Sequence, residues 1–180
     1  MITDEKVIEQ TANWIKSVVI DCNFCPFAAK ALFNKSVRYI VKTESSVIQS
    51  LETLKNELRH LDNEEMTETS FLIFPNDFND FQSYLTLVKK AEKLLADEGY
   101  NGIYQLASFH PDYCFADSET DDPANYTNRS IYPMLHILRE ESITKALRLF
   151  PNPEQIPQHN IDFARQKGLQ YMQLLRSTCI

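Results

Sequence analysis

Phe71-Leu72-Ile73-Phe74, closed off by Pro75, is an unbroken apolar run too short to be a helix of its own. Four such residues before a proline predict a strand buried on both faces, the pattern of an inner strand sandwiched between helices. Towards the N-terminus, Val37-Arg38-Tyr39-Ile40-Val41 alternates and is rich in β-branched residues, which predicts a second strand. Ser45 is placed to cap a helix between the two, on which Val47, Ile48, Leu51, Leu54, Leu58 and Leu61 form one apolar stripe. Towards the C-terminus, Asp77 is placed to cap a long helix carrying Phe78, Phe81, Leu85, Val88 and Leu95, which Gly99 closes. Ile103 to Phe109 then predicts a third strand.

Strand, helix, strand, helix, strand is the order of an α/β fold. The expectation is a small, mainly parallel sheet of three or more strands joined by right-handed βαβ crossovers, with a mixed α+β sheet as the alternative. A first helix from Asp4 to Asp21 carries Val7, Ile8, Trp14, Ile15, Val18 and Val19 at helical spacing, with Thr3 as its cap. After a break at Asn23 to Pro26 comes a short helical piece, Phe27 to Phe33. This N-terminal part and two helical stretches after Pro133 would cover the sheet. No linker, repeat or low-complexity tract divides the chain, so residues 1–180 are expected to form one domain.

Composition narrows the function. With 43% hydrophobic residues and a formal net charge of -7, the chain is neither disordered in character nor charged for nucleic acid. Its three glycines cannot supply a phosphate-cradling loop or a dinucleotide fingerprint, both of which need several at fixed spacing. The N-terminus has no secretory pattern, and no apolar run approaches the roughly 18 residues of a membrane span. A cytoplasmic protein without nucleic-acid or membrane partners is expected.

Residues 110–132 follow no helical or strand period. A long irregular connection after a strand's C-terminal end is where α/β sheets place ligands. At its start stands His110, in Ser108-Phe-His-Pro; at its end lies Asn125-Tyr-Thr-Asn-Arg-Ser-Ile-Tyr-Pro-Met-Leu-His-Ile-Leu-Arg-Glu140. Pro133 suits the first position of a helix. On that expectation Arg129 and the free N–H groups of the helix start make an anion site. The same dipole would keep His136 neutral, and His136 and Glu140 would share one helix face. His110, His136 and Glu140 together could also hold a transition metal. The plain alternative is that Arg129, Arg139 and Glu140 pair with one another, His136 is a satisfied, half-buried residue, and His110 only hydrogen-bonds a loop carbonyl.

Of the four cysteines, Cys22 and Cys25 form a CxxC. That spacing permits a redox pair, or a zinc site shared with His110 and Cys114. Cys25 alone is a candidate nucleophile at the start of the helix opening at Pro26. The acidic group Asp117, Glu119, Asp121 and Asp122 lacks the spacing of an EF-hand and is expected to be solvated.

Cys25-Pro-Phe-Ala after a Trp-bearing helix, Ala107-Ser-Phe-His-Pro111, and Asn125-Tyr-Thr-Asn-Arg followed by Tyr132-Pro and Leu135-His-Ile-Leu-Arg-Glu140 resemble a bacterial family catalogued as domain of unknown function 1415. The resemblance covers about residue 10 to about residue 165 and implies no particular reaction. It directs attention to Cys25, His110, Asn125, Tyr126, Asn128, Arg129, His136, Arg139 and Glu140. Cys22 and Cys114 fall where the family pattern does not call for cysteine, which weakens the redox and zinc readings. Ile131 stands where that pattern often has proline.

The function expected from these residues is an enzyme acting on a small anionic substrate, phosphorylated or carboxylated. Arg129 and Arg139 would neutralise the anion, Asn125 and Asn128 would orient it, and His110, His136 and Cys25 would carry the chemistry. A metal-binding protein and a non-enzymatic binding module are the alternatives. Nothing in the sequence names a cofactor or an oligomeric state.

Overall fold

The computed structural model describes residues 2–148 and 152–180. Strands β1 (Val37–Val41), β2 (Thr69–Ile73), β3 (Tyr104–Phe109) and β4 (Met134–Arg139) form one sheet in the order β1-β2-β4-β3. β1 and β2 pair in parallel, while β4 is antiparallel to both β2 and β3. The three strands anticipated from the sequence therefore run in one direction, but β4 runs against them and separates β2 from β3. Only one neighbouring pair is parallel, so the sheet is mixed rather than mainly parallel.

Helices cover both faces. On one side lie α3 (Val47–Asn63) and α4 (Phe81–Asp97), whose Leu54, Leu58, Leu61, Tyr84 and Leu87 pack with Leu72, Leu135 and Ile137 of the sheet. On the other side α1 (Asp4–Trp14), α6 (Ile156–Lys167) and α7 (Leu169–Ser177) contribute Val7, Trp14, Ala164 and Met172 to a second core with Phe71, Ile73 and Met134. β2 is buried at every position, as its apolar run required.

The expected first helix continues past Trp14 as a wider turn, a π-helical segment over Ile15–Ile20. There the Asp21 N–H reaches back to Lys16 O rather than to the residue four back. Such a bulge rotates the side chains that follow it, and it is a common device beside functional sites. A short helix, α2 (Ala28–Phe33), stands between Asn23 (φ 57°) and Lys35 (φ 54°), both in the left-handed region that non-glycine residues rarely occupy.

Met134–Arg139 corrects an expectation: it is strand β4, not the first turn of a helix. Met134, Leu135, Ile137 and Leu138 fit either period over so short a run. Placed between β2 and β3, the segment gains backbone partners on both sides and cover on both faces. The helix start expected beside Arg129 is therefore a strand, and His136 and Glu140 do not share a helix face. Glu140 instead opens α5 (Glu140–Leu147).

Two caps are displaced by a few residues. Ser46 rather than Ser45 caps α3, in a capping box with Gln49, and Asp80 rather than Asp77 caps α4. Asp77 accepts the Ser45 N–H at 2.7 Å and so ties the two helix entries together. Among the described residues no helix is long and apolar enough to cross a membrane.

Candidate functional site

The second core is not filled. Between the sheet and α1, the π segment, α2 and α5 lies a cavity of about 440 Å³, within the usual range for small-molecule sites. Trp14, Ile15 and Val19 form one wall. The wide turn at Ile15 is what brings this apolar edge over the sheet. Phe71, His136 and Phe109 lie on the sheet side, Cys25 and Pro26 at the entry to α2, and Ser142 and Ile143 on α5.

The sheet register sets the floor. Tyr39, Phe71 and His136 are direct neighbours across β1, β2 and β4. Their rings stack in a row, Tyr39 on Phe71 at 5.9 Å and Phe71 on His136 at 3.8 Å between centroids. Aromatic cross-strand pairs of this kind hold ring positions firmly.

His136 Nε2 lies 2.6 Å from Thr69 Oγ1, which also lies 2.6 Å from Ile137 O. A hydroxyl has one proton, and a carbonyl can only accept it, so Thr69 donates to Ile137 and accepts from His136 Nε2–H. This assigns the proton of the neutral ring to Nε2 and leaves Nδ1 with a bare lone pair. Nδ1 has no hydrogen-bond partner among the described residues. It is not sealed either, since only Tyr39 Oη and Asn160 Oδ1 are buried there without partners. Burial pushes the His136 pKa down to about 3, so the ring stays neutral at any physiological pH. The neutrality anticipated from the sequence thus has a different cause: removal from water, not a helix dipole.

Cys25 reaches the same cavity from a distant part of the chain. Burial raises its pKa, while the N–H groups of Phe27 and Ala28 against the sulfur act weakly in the opposite direction. It rests as a thiol. All four cysteines are free; Cys22 is buried with its Sγ on Ser17 O, and Cys114 has its Sγ on Ser118 O.

The other residues singled out in the sequence lie elsewhere. His110 is fully buried beside Phe81 and Tyr84, its Nδ1 accepting the Asp112 N–H and its Nε2 donating to Phe78 O, both at 2.9 Å. Burial lowers its pKa. Arg129 spends Nε on Tyr113 O and Nη2 on Thr120 O, with its guanidinium over the Tyr126 ring. Asn125 accepts from the Phe115 N–H and Ser118 Oγ and donates to Glu119 O, while Asn128 donates to Ser108 O. These side chains fold the long connection back on itself. Arg139 borders the cavity, but its fork donates to Leu61 O in the last turn of α3, to Thr67 O beyond that helix and to Tyr104 Oη. Glu140 lines a separate shallow depression with Gly102. Among the described residues no three His, Cys, Asp or Glu side chains converge as a metal site.

Of the candidates, then, Cys25, His136 and Arg139 line the cavity. Thr69, Phe71 and Trp14 belong to it and were not singled out, because only strand register and the π turn bring them there. The loop meets the cavity indirectly: Arg129 O accepts the Trp14 indole N–H at 3.0 Å, and Trp14 meets Phe109 edge-on at 5.1 Å. No curated protein and no solved structure matches this chain. A family model described as a protein of unknown function (DUF1415) matches residues 6–174, and the chain belongs to that family.

Proposed function

We propose that the protein is a small-molecule enzyme whose substrate occupies the cavity over β2 and β4, with Cys25 as nucleophile and His136 as its partner. The carrying observation is that a thiol and an imidazole with a bare nitrogen, from opposite ends of the sequence, line one mainly apolar cavity. Both groups rest neutral. As sulfur adds to a carbonyl carbon of the substrate, the C=O π pair moves onto the carbonyl oxygen, the S–H bond breaks with its proton passing to His136 Nδ1, and the N–H groups of Phe27 and Ala28 favour the negative charge on sulfur before it adds. Thr69 keeps the ring in the tautomer this transfer needs.

Binding without turnover is the second reading. It is favoured by the burial that holds the thiol protonated and the imidazole a weak base.

A fragment library screened by NMR tests both. Hits are expected to shift resonances of Phe71 and His136 and to slow alkylation of Cys25. Electrophilic hits should modify Cys25 at least about tenfold more slowly in His136→Gln than in the wild type. Equal rates in the two proteins would leave a binding site only. Hits confined to other surfaces would overturn the assignment of the cavity.

A further inference from the structure

We infer that the cavity's ligand is an amphipathic carboxylate, its apolar body over Phe71 and its anionic end at the mouth between Lys30 and Lys145; this rests on the cavity being a small-molecule site. The chain as a whole is acidic, with a formal net charge of -7. Its cavity is not. Three cationic side chains, Lys30, Arg139 and Lys145, line it against one carboxylate, Glu68.

Arg139 is committed to backbone carbonyls, which leaves the two lysines. Both are exposed and both border the cavity, so they stand where it meets solvent. Lys30 has no ion-pair partner among the described residues. Among the described residues Lys145 pairs with Glu141 alone, one turn away, and both ends of that pair are exposed. A surface pair of this kind is worth little and yields readily to a competing anion.

The form of the anion follows from what the site lacks. A phosphate group is usually held by several converging N–H donors or a guanidinium fork. Here the Ala28 N–H at the start of α2 goes to Cys25 O, the fork of Arg139 is spent, and α5 begins with Glu140 and Glu141. Two flexible ammonium groups suit one carboxylate. The volume of about 440 Å³ corresponds to roughly fifteen water-sized units, enough for a medium-length chain or a small ring system.

The test compares decanoate with its neutral isostere decanamide on the full chain, read as protection of Cys25 from iodoacetamide and as chemical shifts at Phe71 and His136. Decanoate is expected to bind about tenfold more tightly, with the preference falling roughly threefold per lysine in Lys30→Gln and Lys145→Gln and fading at high salt. Glu68→Gln should strengthen decanoate binding and leave decanamide unchanged, an outcome that damage to the fold would not imitate. Equal affinity for the two ligands, or a preference that survives in the double lysine variant, overturns the carboxylate inference. If neither ligand protects Cys25 while uncharged fragments do, the cavity stands as a site and this inference falls. If nothing protects it, both fall.

Discussion

His136 is held neutral at a cost that appears when the solution is acidified. Its pKa in the folded protein is about 3, against roughly 6.5 in an unfolded chain. Between these values the unfolded state binds a proton that the folded state refuses, so stability rises with pH. The contribution is fully present above about pH 6.5 and drains away as pH falls towards 3. His110 acts with the same sign, because burial lowers its pKa too. The melting temperature should therefore drop steeply between pH 6.5 and 4, and His136→Gln should flatten that slope. Gln keeps an amide N–H for Thr69 Oγ1 and cannot be charged. An unchanged slope in the variant would mean that the ring is hydrated and titrates normally. A ligand that donates a hydrogen bond to Nδ1 would deepen the same dependence, since protonation of that nitrogen would expel it.

At the scale of elements, the 110–132 connection is a brace. Arg129 gathers Tyr113 O and Thr120 O, Asn125 gathers three further groups, and Asp122 receives Arg165 of α6 through two contacts at 2.7 and 3.2 Å. Arg129→Ala leaves two carbonyls unpaired and loosens the anchor of Trp14. It should cost about 2–4 kcal/mol in urea unfolding, and Arg129→Lys should recover little, because one ammonium cannot span both carbonyls. Wild-type stability with lost ligand binding would instead restore Arg129 to the site. The sequence made α1 to α4, β1, β2 and β3 legible because each carries its own period and flanking punctuation, whereas the helices after Pro133 read only as two stretches without bounds. β4 was not legible, because Met134-Leu-His-Ile-Leu-Arg139 fits two periods and only the gap between β2 and β3 decides for the strand. Cys25 and His136 were legible as reactive residue types. Their place on one cavity, expected for both residues, rests on a register that aligns Phe71 with His136 and on a π turn that no local pattern announces. The long loop was legible as unusual, but its internal bracing was not, for a physical reason. Polar side chains that satisfy a folded loop's own backbone are the same types that would grip a ligand.

Across the whole molecule the sheet is covered unequally. One face carries α3 and α4, two long helices whose leucines close completely over Leu72 and Leu135. The other is sealed by α1, α6 and α7 only in part, and what remains is roofed by α2 and α5. Of those two, α2 buries only Ala31 and α5 buries no residue at all. Few buried contacts mean a small free energy of local opening, so the roof should open without the sheet. That is also an economical route for a ligand, because Lys30 of α2 and Lys145 of α5 flank the mouth of the cavity. Amide hydrogen exchange should show Ala28–Phe33 and Glu140–Leu147 exchanging far faster than β2, β4 and α3. A cavity ligand should slow exchange in those two segments and leave α3 and α4 as they were. Protection of α2 and α5 equal to that of α3 in the free protein would place the entrance elsewhere. Slowing spread evenly over the chain would indicate general stabilisation rather than closure over the cavity.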